Sequence, residues 1–522
     1  MSSPKVLAAA WLALCLSGAA PARAQWSASN LLQAQGGNIP FRDPSNRTAF
    51  YDQFRLDYAA DGIRGGIRYE THHNSQGGGS YGGVGGYGLV TQRWAEWQGG
   101  GVKTRVGNFY TILGRGLLHR SFELSGVVLE DPGLRSQYGP SRDMDGVLVE
   151  AARGPVRGKF FTGLPNGGDI SPGFENLGLP RYSTQLTGAE ISAVGPRRIK
   201  AGLAYVRSPQ GHNAEYGSAF VDGDLLRALG DSMVSLPIYV EFASGGGLRR
   251  WFDFATADSA PHALFASATL LAENFTLLAE WKDYGQFRFG TNDPPSLVKE
   301  HSEALLNRYT HVLDATGEQG YQLEATYTPG GLGSALLNVS RADRNLAGRS
   351  ERFEERYLEL RSAPLGEGRP WEARVFGFRG RDEFDGLLKM RAGGGSAGVQ
   401  GPGPWSAGLD VEAATLTRRA APTPYAYRDQ YVSLTLARAA VGSISAVWER
   451  TTDKAAAPPL KAGDPPFVAR HFLGVYVRGH ISSRQDATLF YGDRRGGRAC
   501  TAGTCYDVLP FKGAEVRLSW HL

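Results

Sequence analysis

The last twelve residues, Phe511 to Leu522, read FKGAEVRLSWHL, and from Ala514 onward every second residue is apolar: Ala514, Val516, Leu518, Trp520 and Leu522. Between them stand Glu515, Arg517, Ser519 and His521. A period of two puts the first set on one face of a strand and the second on the other. An apolar face this regular, with an aromatic two residues from the end and an apolar final residue, suits a strand whose neighbour is lipid. An amphipathic strand of a soluble sheet would show the same alternation, so a second feature has to decide.

That feature is at the other end. Residues 1–24 carry Lys5, an apolar run from Val6 to Leu16, and Ala22-Arg23-Ala24 before Gln25, the n-region, h-region and cleavage site of a secretory signal. Cleavage is expected between Ala24 and Gln25. Cys15 follows Leu14, where a lipid-anchored cysteine would need a small residue, so a lipoprotein is not expected. No other apolar run approaches the roughly 18 residues of a membrane helix. An exported chain of this kind is either soluble or enters a membrane as a closed barrel, which alone among the alternatives satisfies its backbone in lipid.

Composition fits the barrel. The 522 residues less the first 24 leave 498 with no linker or compositional shift to divide them. Seventy Gly, 22 Tyr, 24 Phe and 10 Trp with a negative mean hydropathy suit strands apolar on one face, bounded by glycine turns and flanked by interfacial aromatics. Removing Lys5 and Arg23 from the 56 basic residues leaves 54 against 51 acidic ones, a net charge of +3 that does not call for nucleic acid.

Alternating segments of about ten residues, the length a tilted strand needs to cross the hydrocarbon, recur about 24 times, from Ser27–Gln35 to the terminal strand. They include Ser235–Ser244, Leu248–Thr256 and His262–Ala272. In two of them the faces separate without exception: Tyr321, Leu323, Ala325 and Tyr327 against Gln322, Glu324 and Thr326, and Trp405, Leu409 and Val411 against Ser406, Asp410 and Glu412. Connections alternate between short (Gly99–Gly101, Gly154-Pro155, Gly245–Gly247) and long (His72–Gly85, Ile112–Met144, Ser208–Val234, Gly285–Glu318, Asp493–Pro510). Short turns on one rim and long loops on the other are the habit of membrane barrels.

Only Cys500 and Cys505 follow the signal segment, with four residues between them in GGRACTAGTCYD, and such a pair in an exported chain reads as a disulfide. The longest loop, 112–144, mixes Arg115, Arg120 and Arg135 with Glu123, Glu130 and Asp131. Folded into the lumen it would narrow it, with cations and carboxylates making a transverse field; alternatively these charges pair with one another and order the loop. Leu117, Leu118, Phe122, Leu124, Val127, Val128 and Leu129 make it too apolar for free solvation and favour packing against the inner wall.

Other motifs carry less. His72-His73 lack a supporting acidic cluster, so no metal site is expected. The Gly-rich stretch 77–89 lacks the strand, turn, helix and lysine of a nucleotide loop. Nothing fixes the scattered Ser and His residues as a nucleophile with its base. No catalytic residue, cofactor or enzymatic activity is expected.

The segment VGNFYTILGRGLLHRSFE (Val106–Glu123), with DPGLRS after it and RRGGRACTAGTCYDVLPFKGAEVRLSW at the end, is similar to a family of uncharacterised bacterial envelope proteins. That family carries a G-[DN]-[FY]-Y…G-x-G-L-x-x-R signature and a cysteine-pair loop before the last strand. The resemblance implies an outer-membrane barrel of unknown function. The terminal strand likewise resembles the closing strand that barrel-assembly machinery reads, with Leu522 where Phe is commoner.

The chain is thus expected to be all-β, one transmembrane antiparallel up-and-down barrel of about 24 strands (18 to 26) over residues 25–522, polar inside, with both termini periplasmic and long loops extracellular. So wide a barrel encloses a lumen unless something fills it, which points to passage of polar solutes across the outer membrane. A scaffold sheathing a periplasmic or lumen-bound protein partner, a secreted protein or a multihaem cytochrome, is the alternative, and an outer-membrane enzyme the third. The expected partners are outer-membrane lipid and the assembly machinery.

Overall fold

The structure, a computed structural model, describes residues 24–38, 47–75, 86–131, 133–167, 171–177, 184–208, 214–230, 234–246, 261–346, 348–363, 370–457, 467–501 and 503–522. The expected signal segment, 1–24, lies outside them apart from its last residue. Twenty-four strands form one sheet. In chain order they are β1 (Gln25–Asn38), β2 (Arg47–Ala60), β3 (Ile63–Asn74), β4 (Gly86–Gly99), β5 (Val102–Phe109), β6 (Met144–Arg153), β7 (Val156–Pro165), β8 (Leu186–Val194), β9 (Lys200–Ser208), β10 (Ala214–Asp224), β11 (Pro237–Gly245) and β12 (His262–Ala272). The second half comprises β13 (Phe275–Gly285), β14 (Glu318–Tyr327), β15 (Gly333–Leu346), β16 (Arg349–Ser362), β17 (Trp371–Asp382), β18 (Leu387–Gln400), β19 (Trp405–Arg418), β20 (Tyr425–Arg438), β21 (Gly442–Thr451), β22 (Arg470–Ser482), β23 (Gln485–Arg494) and β24 (Phe511–His521).

Each strand pairs antiparallel with the next, and β24 pairs back onto β1 from Ser29 opposite His521 to Asn38 opposite Lys512. The ladder therefore closes and leaves no edge, the condition for a sheet to sit in lipid.

Register fixes which residues face out. Gln33 opposite Arg517 and Gln35 opposite Glu515 face the interior, and Gln35 Nε2 donates to Glu515 Oε2 at 2.7 Å. Val516, Leu518 and Trp520 therefore face outward, as their alternation predicts. Round the barrel the outward positions are apolar and exposed, among them Ile191 at 57 %, Val375 at 61 % and Leu434 at 57 %. In a molecule with water outside this would be prohibitively large apolar surface; with lipid outside it is the stabilising contact. The barrel spans a membrane.

One rim carries short turns. Asp61-Gly62 and Gly100-Gly101 both take positive φ at both residues (34° and 82°, 57° and 81°), the two-residue hairpin geometry that glycine makes accessible. Both described ends of the chain lie at this rim, where Leu522 N–H donates to Ala28 C=O at 2.8 Å. The opposite rim carries the long connections.

Two expectations fail in one region. Ala214–Asp224 is a strand, paired with β9 and β11, inside the stretch read as a long loop. Its apolar bulk points the other way: Phe220 is 3 % exposed and faces the lumen with Tyr216, while the outward set is Gly217, Ala219 and Val221. Ser244 then pairs with His262, so Gly245–Gly247 is not a short turn between adjacent paired strands, and Gly245 lies at the long-loop rim. Leu248–Thr256 lies outside the described residues. The remaining expected segments coincide with strands.

The lumen is also less polar than expected. Against the inner wall of β6 to β13, Leu113, Leu117 and Leu118 of the 110–143 loop pack with Phe161, Val206, Phe220 and Phe265, all at most 3 % exposed. Across the barrel Leu305 and Leu306 do the same with Tyr357, Phe376, Leu416 and Tyr427. These two apolar clusters seat segments of the chain inside its own barrel.

Candidate constriction in the barrel lumen

Three connections from the long-loop rim turn inward. The first, 110–143, crosses the lumen on wall-borne charges. Arg68 of β3, 2 % exposed, donates to Glu123 Oε1 at 2.9 Å and Ser141 Oγ at 3.1 Å. Arg47 of β2 pairs with Glu130 and donates to Arg135 C=O at 3.0 Å. Gln137 Nε2 donates to Gln35 Oε1 at 2.7 Å, and Arg517 Nη1 to Gly126 C=O at 3.3 Å. On the far side Gly114 N–H donates to Glu190 of β8 at 3.0 Å and Arg115 N–H to Glu241 of β11 at 2.9 Å. Gly114 (φ 52°) and Gly116 (φ 95°) make the bend that aims both amides at the wall, and a Cβ on Gly114 would stand 2.4 Å from the Glu241 carboxylate oxygens.

The second segment, 286–317, fills the other half. The N–H groups of Ala304 and Leu305, at the start of a single helical turn, donate to the two oxygens of Glu412 on β19 at 2.9 and 2.8 Å. Tyr357 Oη and Arg374 both donate to Glu303 Oε1, at 2.9 and 2.8 Å. His311 lies between Asp382 at 2.8 Å and Glu318 at 3.2 Å. His301 sits 3.2 Å from Glu355.

The third is the cysteine loop. Cys500 and Cys505 face each other across a two-stranded ladder with their sulfurs bonded. Cys500 N–H donates to Asn307 Oδ1 at 2.9 Å, Arg498 to Thr310 C=O at 2.8 Å, and Arg495 pairs with Asp429 at 3.0 Å. The first two segments also meet: Arg120 pairs with Asp293 at 2.9 Å. Together they form a connected bar across the barrel.

The six charged residues singled out in the first loop thus fall in different places. Glu123, Glu130 and Arg135 are held in ion pairs with the wall or with one another, Arg120 in the pair with the second segment, and Asp131 Oδ1 accepts the N–H of Gly133 and of Leu134. Arg115 differs: its side chain is exposed, its guanidinium lies 4.6 Å over the Tyr239 ring, and no carboxylate among the described residues pairs with it. His72 and His73 point to opposite faces of β3, so they cannot share a ligand. No cluster of three metal-ligating side chains occurs among the described residues.

Burial and neighbours set the loop histidines in opposite directions. For His119, fully enclosed in the first segment, burial and then the Arg142 and Lys159 cations lower the pKa to about 3. For His301 burial is outweighed by Glu355 and Glu303, and the pKa rises to about 9; His311 rises to about 9 against burial because Asp382 and Glu318 face it.

Sequence reading did not find Glu190, Glu241 and Glu412. Each is an inward-facing carboxylate with a backbone amide as partner, and its strand alternation marks it only as lumen-facing. The 286–317 segment gave no sign of folding inward.

No protein-family model and no curated protein matches the chain. Among solved structures it is similar to Pseudomonas aeruginosa OccK2 (OpdF) in complex with glucuronate, at 10 % identity and a TM-score of 0.39 over 69 % of this chain and 92 % of that one. It is similar to the outer membrane protein opdK of P. aeruginosa at 9 % and 0.40, over 72 % and 96 %. A BenF-like porin from Pseudomonas fluorescens Pf-5 matches at 10 % and 0.40, over 72 % and 97 %. The barrel itself is established by this chain's own closed ladder.

Proposed function

We propose that the chain is an outer-membrane channel of the porin kind, passing small polar solutes through a lumen narrowed by its own loops. The observation that carries this reading is the contrast between the two ends of the lumen. Toward the long-loop rim the inner wall is covered by the inserted segments. Toward the short-turn rim it is charged and open to solvent: Arg55 and Asp57 are 34 % and 29 % exposed while paired, and Arg361 is 55 % exposed. Solvated charges of both signs inside a barrel that is apolar outside call for water in the lumen. In this reading the long loops face the exterior, the short turns face the periplasm, and the exposed Arg115 is the cation a solute meets at the narrowing.

The chain's own loops occupy the space a sheathed protein would need, so the structure gives no support to the partner-filled barrel. Liposome swelling tests the channel reading. Proteoliposomes of the refolded chain should swell in small polar solutes at rates that fall steeply with solute size. Swelling indistinguishable from empty liposomes, with the barrel shown to be folded, would overturn it.

A further inference from the structure

On the outer face of the barrel, at the first polar level beyond the apolar belt, Arg356 of β16 stands opposite Arg379 of β17, and Arg379 opposite Arg391 of β18. The row continues through Thr415 of β19 to Arg428 of β20. All four guanidinium-bearing side chains face outward, since Tyr357, Met390 and Tyr427 beside them in sequence are buried in the lumen, and all four are exposed. Strands about 4.8 Å apart put three like charges directly opposite one another, an arrangement that destabilises a bare sheet.

Two neighbouring outward cations are paired, while Lys389, two residues above Arg391 on β18, has no carboxylate partner among the described residues. Arg341 pairs with Asp343 at 2.8 Å and Arg381 with Glu354 at 3.2 Å. Among the described residues no carboxylate pairs with Arg356, Arg379, Arg391 or Arg428. Below the row, toward the short-turn rim, the outward positions are Leu358, Gly377, Gly393 and Ala413, and a Cβ built on Gly377 would meet nothing within 4 Å. Bare backbone there makes a shallow trough between the side chains of β16 and β19, which continues down β18 at Gly395 while Val375 closes it on β17.

We propose that this row and trough bind a phosphate-bearing membrane lipid, the headgroup phosphate against Arg356, Arg379 and Arg391 and an acyl chain over Gly377 and Gly393. Guanidinium forks match phosphate oxygens two at a time. Cations at the edge of the hydrocarbon attract anionic headgroups. The inference rests on the membrane-spanning reading but not on the channel function, and its test does not involve transport.

The experiment is native mass spectrometry of the barrel, residues 25–522, in a neutral detergent. It is titrated with phosphatidic acid, with phosphatidylcholine of the same chains, and with inorganic phosphate. The wild type should retain one phosphatidic acid at least tenfold more tightly than phosphatidylcholine, and inorganic phosphate should not displace it at comparable concentration. An R356Q/R379Q/R391Q triple variant, its fold checked by heat-modifiability, should lose the preference. R341Q, at the same rim, should keep it. If the triple variant does not fold, R379Q alone should weaken retention severalfold. Unchanged preference in the arginine variants, equal binding of phosphatidylcholine, or displacement by free phosphate would each overturn the proposal.

Discussion

Arg68 on the inner wall of β3 holds Glu123 of the inserted loop at 2.9 Å while also lying 3.0 Å from Glu70 of its own strand, so one buried guanidinium ties the loop to the barrel and neutralises the wall. Removing it would strand Glu70, which is fully buried, without its cation. Breaking one partner of a buried pair costs about 3 to 5 kcal/mol. Arg68→Met should therefore lower the midpoint of heat-modification and raise conductance by releasing the loop. Glu123→Gln, which keeps a hydrogen-bond acceptor, should do less of both.

Gly114 is the hinge of the same loop. Its φ is 52°, and a side chain there would bring its Cβ to 2.4 Å from the Glu241 oxygens, so Gly114→Val cannot keep the bend that delivers two amides to Glu190 and Glu241. The loop tip should leave the wall of β8 and β11. Conductance should rise with little change in barrel melting, because no ladder bond is involved.

Glu412 satisfies the N–H groups of Ala304 and Leu305, and an amide left buried without a partner costs about 1 to 3 kcal/mol. Glu412→Ala should loosen the 286–317 segment and leave 110–143 in place. Hydrogen exchange resolved by peptide would show faster exchange confined to 286–317.

The two segments should respond to pH with opposite sign. The folded pKa of His119 is about 3, below its ordinary 6.5, so the released loop takes up a proton the seated loop cannot; its seating weakens as pH falls from about 6.5 toward 3. His301 and His311, raised to about 9, stabilise fully below about 6.5 and lose that contribution as pH rises through 9. Current noise should be least near neutral pH and grow on both sides. His119→Gln should flatten only the acid limb and His311→Gln only the alkaline one.

The barrel was legible because lipid outside and water inside impose a period of two on nearly every strand, as in Val516, Leu518 and Trp520 against Glu515 and Arg517. That legibility failed at Ala214–Asp224 for a physical reason: Tyr216 and Phe220 face an apolar cluster inside the lumen, so the outward face keeps only small residues and Val221. The first loop announced its inward course through Leu117 and Leu118. The second did not, because its anchors are backbone amides and single histidines whose partners, Glu412 and Asp382, are about 100 and 70 residues away in sequence. Among the charges of the first loop, sequence could name Arg115 and Glu123 but not say that one would be exposed and the other held by Arg68.

The most direct test of a lumen narrowed by its own loops is single-channel conductance in a planar bilayer, comparing residues 25–522 with a variant of them lacking residues 113–142. Small, steady steps that grow severalfold when the segment is removed are the predicted result. Silence from both proteins, each shown to be heat-modifiable and strand-rich, would mean that the lumen carries no water path and would contradict the account.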